Sequence, residues 1–274
     1  MDDFQAATDR FLAWFNICGG TFRDDLLEIK DLRSRDAGRG ISKPYLHAHK
    51  LNFYIDVHTV AVKDIPQNTT LFMIPRDLII NVQTSELPKK LPAVFDPPIP
   101  DDEDEDHEPL DSWASLILVM LYEYLQGESS KWKLYIDILP QIFDTPIFWT
   151  DAELKELQGT CLTTEKVGKG QSDEMLRTRI VPIVLQHPGI FYPGDAKQLG
   201  EDELLSLAHR MGSTIMAYAF DLEGEGEQDE DEEEGWVEDK EGKTLMGMVP
   251  MADILNANAE FNVSSAISCA TCMR

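Results

Sequence analysis

The stretch SWASLILVMLYEYLQ, residues 112–126, reads as a buried helix with strand-like sequence on both sides of it. Ser112 or Asp111 would supply its N-cap. Its most apolar run, LILVML at 116–121, is too short to cross a bilayer. Upstream, TVAVKDIPQNTTLFMIPRDLIIN at 59–81 predicts strand, turn and strand: VAV, then DIPQN, then LFMI. Downstream, KTLMGMVPMADILN at 243–256 returns to strand-like and loop-like sequence. Strands, a helical block and strands again predict an α+β fold rather than an alternating βαβ one.

The remaining segments fit that frame. Residues 2–18 carry Phe4, Ala7, Phe11, Leu12, Phe15 and Ile17 at helical spacing, and Gly19-Gly20 ends the helix. LLEIKDL at 26–32 predicts a strand, and RSRDAGRG at 33–40 a turn. KWKLYIDILP at 131–140 is expected to continue the buried helix as far as Pro140. DAELKELQG at 151–159 predicts a helix closed by Gly159, and 172–187 and 201–220 are also helical in period. One segment fits none of these templates: ISKPYLHAHKLNFYIDVH, 41–58, has neither a helical period nor turn chemistry.

The net charge of −26 is concentrated in two blocks. Residues 101–111 hold eight acids and no base, and residues 223–241 hold twelve acids and one lysine. Without them the balance is −7, that of an ordinary globular chain. Such runs read as solvated loops, or as surfaces that attract basic proteins. They argue against direct binding to nucleic-acid phosphates, which takes Lys and Arg. Cys18, Cys161, Cys269 and Cys272 are too few and too scattered for a disulfide framework. Cys269-x-x-Cys272 lacks a second ligand pair, and His47 and His49 lack a carboxylate motif, so no metal site is expected. The N-terminus, MDDFQAATDRFLAWF, has no basic n-region. An intracellular, monomeric protein with no membrane association is expected, in the nucleus, the cytoplasm or both.

Several short stretches carry more information in order than alone: DAGRG (36–40), IPRD (74–77), Ser112-Trp113, WKLYIDILP (132–140), PIFW (146–149), GSTIMAYAFD (212–221) and MVPMADILN (248–256). Together, over about 4–262, they resemble the SET-domain protein-lysine methyltransferases. The resemblance is to the group containing the RuBisCO large-subunit methyltransferase, SET-domain-containing protein 6 and fungal ribosomal lysine methyltransferase 4. It implies a SET domain of small β-sheets split by a mostly helical insertion. The first part would be 1–84, the insertion 85–244 and the second part 245–274. It also implies methyl transfer from S-adenosylmethionine to a lysine of a basic protein, ribosomal or otherwise nuclear.

The resemblance assigns Gly38, Arg39, Gly40, Asn256 and Ala257 to the cofactor, and Tyr218 and Asp253 to the lysine substrate. The chemistry suits them. Glycines without Cβ let a backbone approach a ligand closely. Arg39 offers a fork of donors to a carboxylate, though it also fits an exposed turn. Asn256 carries both donors and an acceptor, useful for a ligand or for capping a buried loop. Tyr218 suits a site wall or helix packing, and Trp113 and Trp149 suit a core.

Two departures follow from the same resemblance. Where the family pattern reads Asn-His, this chain reads Asn256-Ala257, which keeps main-chain contacts and loses a side chain. No tyrosine follows Tyr218, so the family's catalytic tyrosine segment and helical substrate-binding domain are absent, and no catalytic residue is assigned. The expectation is an incomplete chain, unstable or inactive as written. On this reading 41–58 is translated intron and the tail from about 263 a misread exon boundary. The competing expectations are a catalytically inactive SET-like module that holds basic proteins on its acidic loops, and a product of gene prediction with no function of its own.

Overall fold

The computed structural model describes residues 3–31, 39–42, 65–66, 68–96, 110–222 and 245–255. Helices and two-stranded sheets follow one another in the order α1 (Asp3–Ile17), β1 (Thr21–Phe22), β2 (Glu28–Asp31), β3 (Arg39–Ser42), β4 (Phe72–Met73), α2 (Leu87–Lys90), α3 (Pro92–Phe95), α4 (Ser112–Leu125), α5 (Lys133–Ile136), α6 (Asp151–Lys155), α7 (Thr164–Val167), α8 (Lys169–Met175), α9 (Val181–Gln186), α10 (Pro188–Phe191), α11 (Glu201–Tyr218), β5 (Ala219–Leu222) and β6 (Leu245–Met248). The sheets are antiparallel pairs: β1 with β4, β2 with β3 and β5 with β6. The fold is α+β, as the sequence predicts.

Contacts divide the chain into two compact units. The first is Met1–Gly20 with Ile74–Pro250, and the second is Thr21–Met73 with Met251–Arg274. In the first, α4 is the central element. Asp111 is its N-cap, its carboxylate accepting the Ala114 N–H at 2.7 Å. Every residue from Ala114 to Glu123 is buried. A helix that is apolar all round must be covered all round, and α11, α5 and β6 pack against it. Helices α4 and α11 are tightly packed at Gly212, where an added Cβ would lie 3.0 Å from Trp113 Cζ2 and 3.3 Å from Ile117 Cδ1. Gly212→Val overpacks that crossing. It is expected to cost about 1–3 kcal/mol in chemical denaturation, and an unchanged midpoint would contradict the packing described.

α1 packs on α5. Phe11 and Phe15 are fully buried, and the Phe11 ring lies 6.1 Å from the Tyr135 ring. The helix stops at Gly19, whose φ of 87° is left-handed. In the second unit Leu26, Leu27, Ile29, Met251 and Ile254 are buried. The turn at DIPQN is present in part: the Thr69 N–H donates to the Pro66 carbonyl at 3.2 Å.

Four local expectations are corrected. The buried helix does not continue to Pro140. Gly127 takes a φ of 53°, a 3₁₀ turn follows over Gly127–Ser129, and α5 restarts at Lys133. The 151–159 helix ends early, at Lys155, although Gly159 does take a positive φ of 86°. The 172–187 period is one broken rod: α8, a π-helical turn over Leu176–Ile180, then α9. Pro182 has no N–H for the carbonyl four residues back, and the wider turn accommodates the gap. The 201–220 period ends at Tyr218, where the chain turns extended into β5.

Candidate functional site

Within the second unit two distant stretches meet. Arg39 and Gly40 open β3 and pair with Asp31 and Lys30 of β2. The glycine-containing segment therefore ends as a strand, not as the turn its composition suggests. The same register carries Ile41 and Ser42, the first two residues of the unclassified 41–58 segment, into the ladder opposite Ile29 and Glu28. Residues 43–58 lie outside the described residues. So do Gly38, Asn256 and Ala257, His47 and His49, Cys269 and Cys272, and the tail from 263.

Against β3 packs the 3₁₀ turn Ala252–Ile254. The entry to this turn has no signal in the sequence. Met251 takes φ 81° and ψ −41°, a positive-φ conformation near that of a γ-turn, rare and strained for a non-glycine residue. Its side chain is fully buried, which holds it there. The Ile254 N–H donates to the Met251 carbonyl at 3.3 Å and the Leu255 N–H to the Ala252 carbonyl at 3.1 Å. Asp253 sits half-buried at the apex. A strand containing a residue without Cβ packs on a tight turn that carries a half-buried carboxylate, a group that accepts hydrogen bonds and attracts a cation.

No protein-family model matches the chain. It is 31% identical over 264 residues to ribosomal lysine N-methyltransferase 4 of Saccharomyces cerevisiae, a match covering 94% of this chain and 47% of that protein. It is 30% identical to N-lysine methyltransferase setd6 of Danio rerio over 75% of this chain and 41% of that one. The chain is a relative of the SET-domain protein-lysine methyltransferases. It also has their fold: the SET domain of LSMT bound to lysine and AdoHcy superposes with a TM-score of 0.59 at 22% identity, covering 94% of this chain and 45% of that one. The chain spans about half the length of the curated relatives it matches.

Of the SET-type residues expected from the sequence, the structure brings Arg39, Gly40 and Asp253 into one unit. Tyr218 belongs to the first unit, where it is the half-buried last residue of α11. Trp149, expected as core, is half-buried with its indole N–H on the Asp144 carboxylate at 3.0 Å. Trp113 is half-buried beside Gly212. Among the described residues there is no group of His, Cys, Asp and Glu that could hold a metal ion, and no helix long and apolar enough to cross a membrane.

One functional-looking group was not singled out from sequence. Glu123, inside the apolar helix α4, is only 4% exposed. The signal was available: it is the one charged residue in SWASLILVMLYEYLQ.

Proposed function

We propose that the chain carries the cofactor-binding part of an S-adenosylmethionine-dependent protein-lysine N-methyltransferase that acts on a basic protein, ribosomal or otherwise nuclear. The observation that carries this reading is the packing of β3 against the 252–254 turn, in a chain 31% identical to a ribosomal lysine methyltransferase along 94% of its length. The same reading divides the SET domain into 1–84 and 245–274 around an insertion at 85–244, and makes the protein a monomer working in the nucleus or cytoplasm.

Gly38, Arg39 and Gly40 would hold the cofactor with Asn256 and Ala257, the arginine taking its carboxylate and the glycines admitting it close to the backbone. When bound, the cofactor supplies an electrophilic methyl group on a sulfonium. The chain's task is then to hold a lysine amine in line and let it lose its proton, since an unperturbed lysine has a pKa of about 10.4. Asp253 would attract the cationic amine, and the family resemblance also assigns Tyr218 to the lysine substrate. Positioning of this kind supplies much of the rate in group transfer.

The test is transfer of a labelled methyl group by the native protein to lysines of purified ribosomal proteins. Labelled lysine supports the reading, and labelling that does not depend on Gly40 sinks the site assignment. A second reading rests on the acidic blocks at 101–111 and 223–241: a catalytically inactive module that holds basic proteins. It predicts binding of a basic protein that needs no cofactor and disappears when the 223–241 acids are changed to amides.

A further inference from the structure

Glu123 is a buried carboxylate with two hydroxyl donors. Ser85 Oγ donates to one oxygen at 2.8 Å, and Ser130 Oγ to the other at 2.7 Å. Both serines are themselves buried. Each also accepts a backbone N–H: Ser85 from Leu87 at 3.3 Å and Ser130 from Trp132 at 3.2 Å. The carboxylate therefore joins α4 to two loops distant from each other in sequence.

Both arms end on the same short segment, 78–81. From Ser130 the path runs to Trp132, whose indole N–H donates to the Leu78 carbonyl at 2.8 Å. From Ser85 it runs to Asn81, whose carbonyl accepts the Ser85 N–H at 3.1 Å. The Asn81 side-chain oxygen accepts the Gln83 and Thr84 N–H groups at 2.9 Å each. Thr84 in turn donates its hydroxyl to the Ile79 carbonyl at 2.6 Å. Ile80, at the centre of the segment, exchanges two hydrogen bonds with Met248 of β6, at 2.9 and 3.0 Å. Three residues later the chain enters the Met251–Ile254 turn. The segment also limits β6 sterically: a Cβ on Gly247 would lie 2.9 Å from Ile79 Cγ2 and 2.7 Å from Leu222 Cδ1.

We propose that Glu123 is a positioning residue: through Ser85 and Ser130 it fixes segment 78–81 from both sides, and so fixes the register of β6, the strand that opens the second SET part at 245. The functional part of this inference rests on the reading given under Proposed function; the structural part does not. A satisfied buried polar network specifies one arrangement of the elements it joins, where apolar packing alone tolerates slippage. The register of β6 needs such specification because the β5–β6 pair is only four residues long. The charged groups acting on Glu123 are Lys90 of α2 and Lys131, which precedes Trp132. Both are held in place, Lys90 by the Tyr122 hydroxyl at 2.6 Å and Lys131 over the Trp132 ring at 4.0 Å.

The experiment is hydrogen exchange of the Ile80 and Met248 amides, with Gly20, bonded to Phe15 in the same unit, as reference. In Glu123→Ala, exchange at Ile80 and Met248 should rise at least about tenfold more than at Gly20. Glu123→Gln should recover most of that protection, because its amide can accept from one serine and donate to the other. Ser85→Ala and Ser130→Ala, milder changes, should each give part of the effect and serve if Glu123→Ala does not fold. A further readout is pH. Burial holds the Glu123 carboxyl above its ordinary range, against the pull of the two serines and two lysines. The folded protein then keeps this proton more tightly than the unfolded chain. Its stability should fall as pH rises from the unfolded carboxylate range through the raised folded value, and Glu123→Gln should flatten that slope. Unchanged exchange at Ile80 and Met248, or a rise equal to that at Gly20, overturns the proposal. If the parent protein fails to bind S-adenosylmethionine, the proposed function falls while the exchange result stands.

Discussion

Trp132→Ala is expected to destabilise the protein by about 4 kcal/mol, a large part of the ~5–15 kcal/mol that holds a typical domain folded. The residue is 1% exposed and among the largest fully buried side chains described. Truncation leaves a cavity between α5 and the 78–81 segment, and also strips the Leu78 carbonyl of its donor at 2.8 Å. The two losses can be separated. Trp132→Phe refills most of the volume but cannot donate, so it should cost about 1–3 kcal/mol, the penalty for an unsatisfied buried acceptor plus a small cavity. The Lys131 ammonium, 4.0 Å from the ring centre, should keep most of its attraction in the phenylalanine variant, since the ring face remains. Chemical denaturation of the three proteins checks this. Equal midpoints for alanine and phenylalanine would mean that volume contributes nothing.

Gly40→Val should have the largest effect on ligand binding with the least effect on folding. In β3 the residue pairs with Lys30, and valine is favoured over glycine in a strand. Stability should therefore hold or rise slightly. If the cofactor approaches the backbone there, the added side chain overpacks the site by about 1–3 kcal/mol, roughly a tenfold to hundredfold rise in Kd for S-adenosylmethionine. Unchanged affinity with unchanged stability would remove Gly40 from the site.

The parts of this fold that could be read in the sequence are those with dense local signals. α4 is legible because a dense apolar run at 116–121 follows a capping Asp111 or Ser112. α1 was legible from its aromatic spacing and terminal glycines, and β2 and β4 from short β-rich runs. What escaped was set by tertiary context. Lys133–Ile136 has good helical sequence, but the left-handed Gly127 before it had already ended α4. The residues DAGRG suggest a turn, yet pairing with β2 draws Arg39 and Gly40 into a strand. Ala219 and Phe220 continue a helical period, yet they pair with Met248 and Gly247.

The site was legible in a different way. Arg39, Gly40 and Asp253 were chosen through a resemblance, and two of them belong to a strand packed on the turn that carries the third. Nothing local in PMADIL announces the positive φ of Met251. That conformation depends on the burial of its side chain, which no spacing rule predicts. Glu123 was passed over because one acid in an apolar helix looks like noise until its two serine partners, 38 and 7 residues away, are seen beside it.

β3 and the 252–254 turn are proposed above as the S-adenosylmethionine site. Calorimetric titration of the purified protein with S-adenosylmethionine, in parallel with Gly40→Val, tests it most directly. Saturable one-to-one binding is expected, weakened at least about tenfold in the valine variant at unchanged melting temperature. No binding by the parent protein, or the same Kd in both, would contradict it.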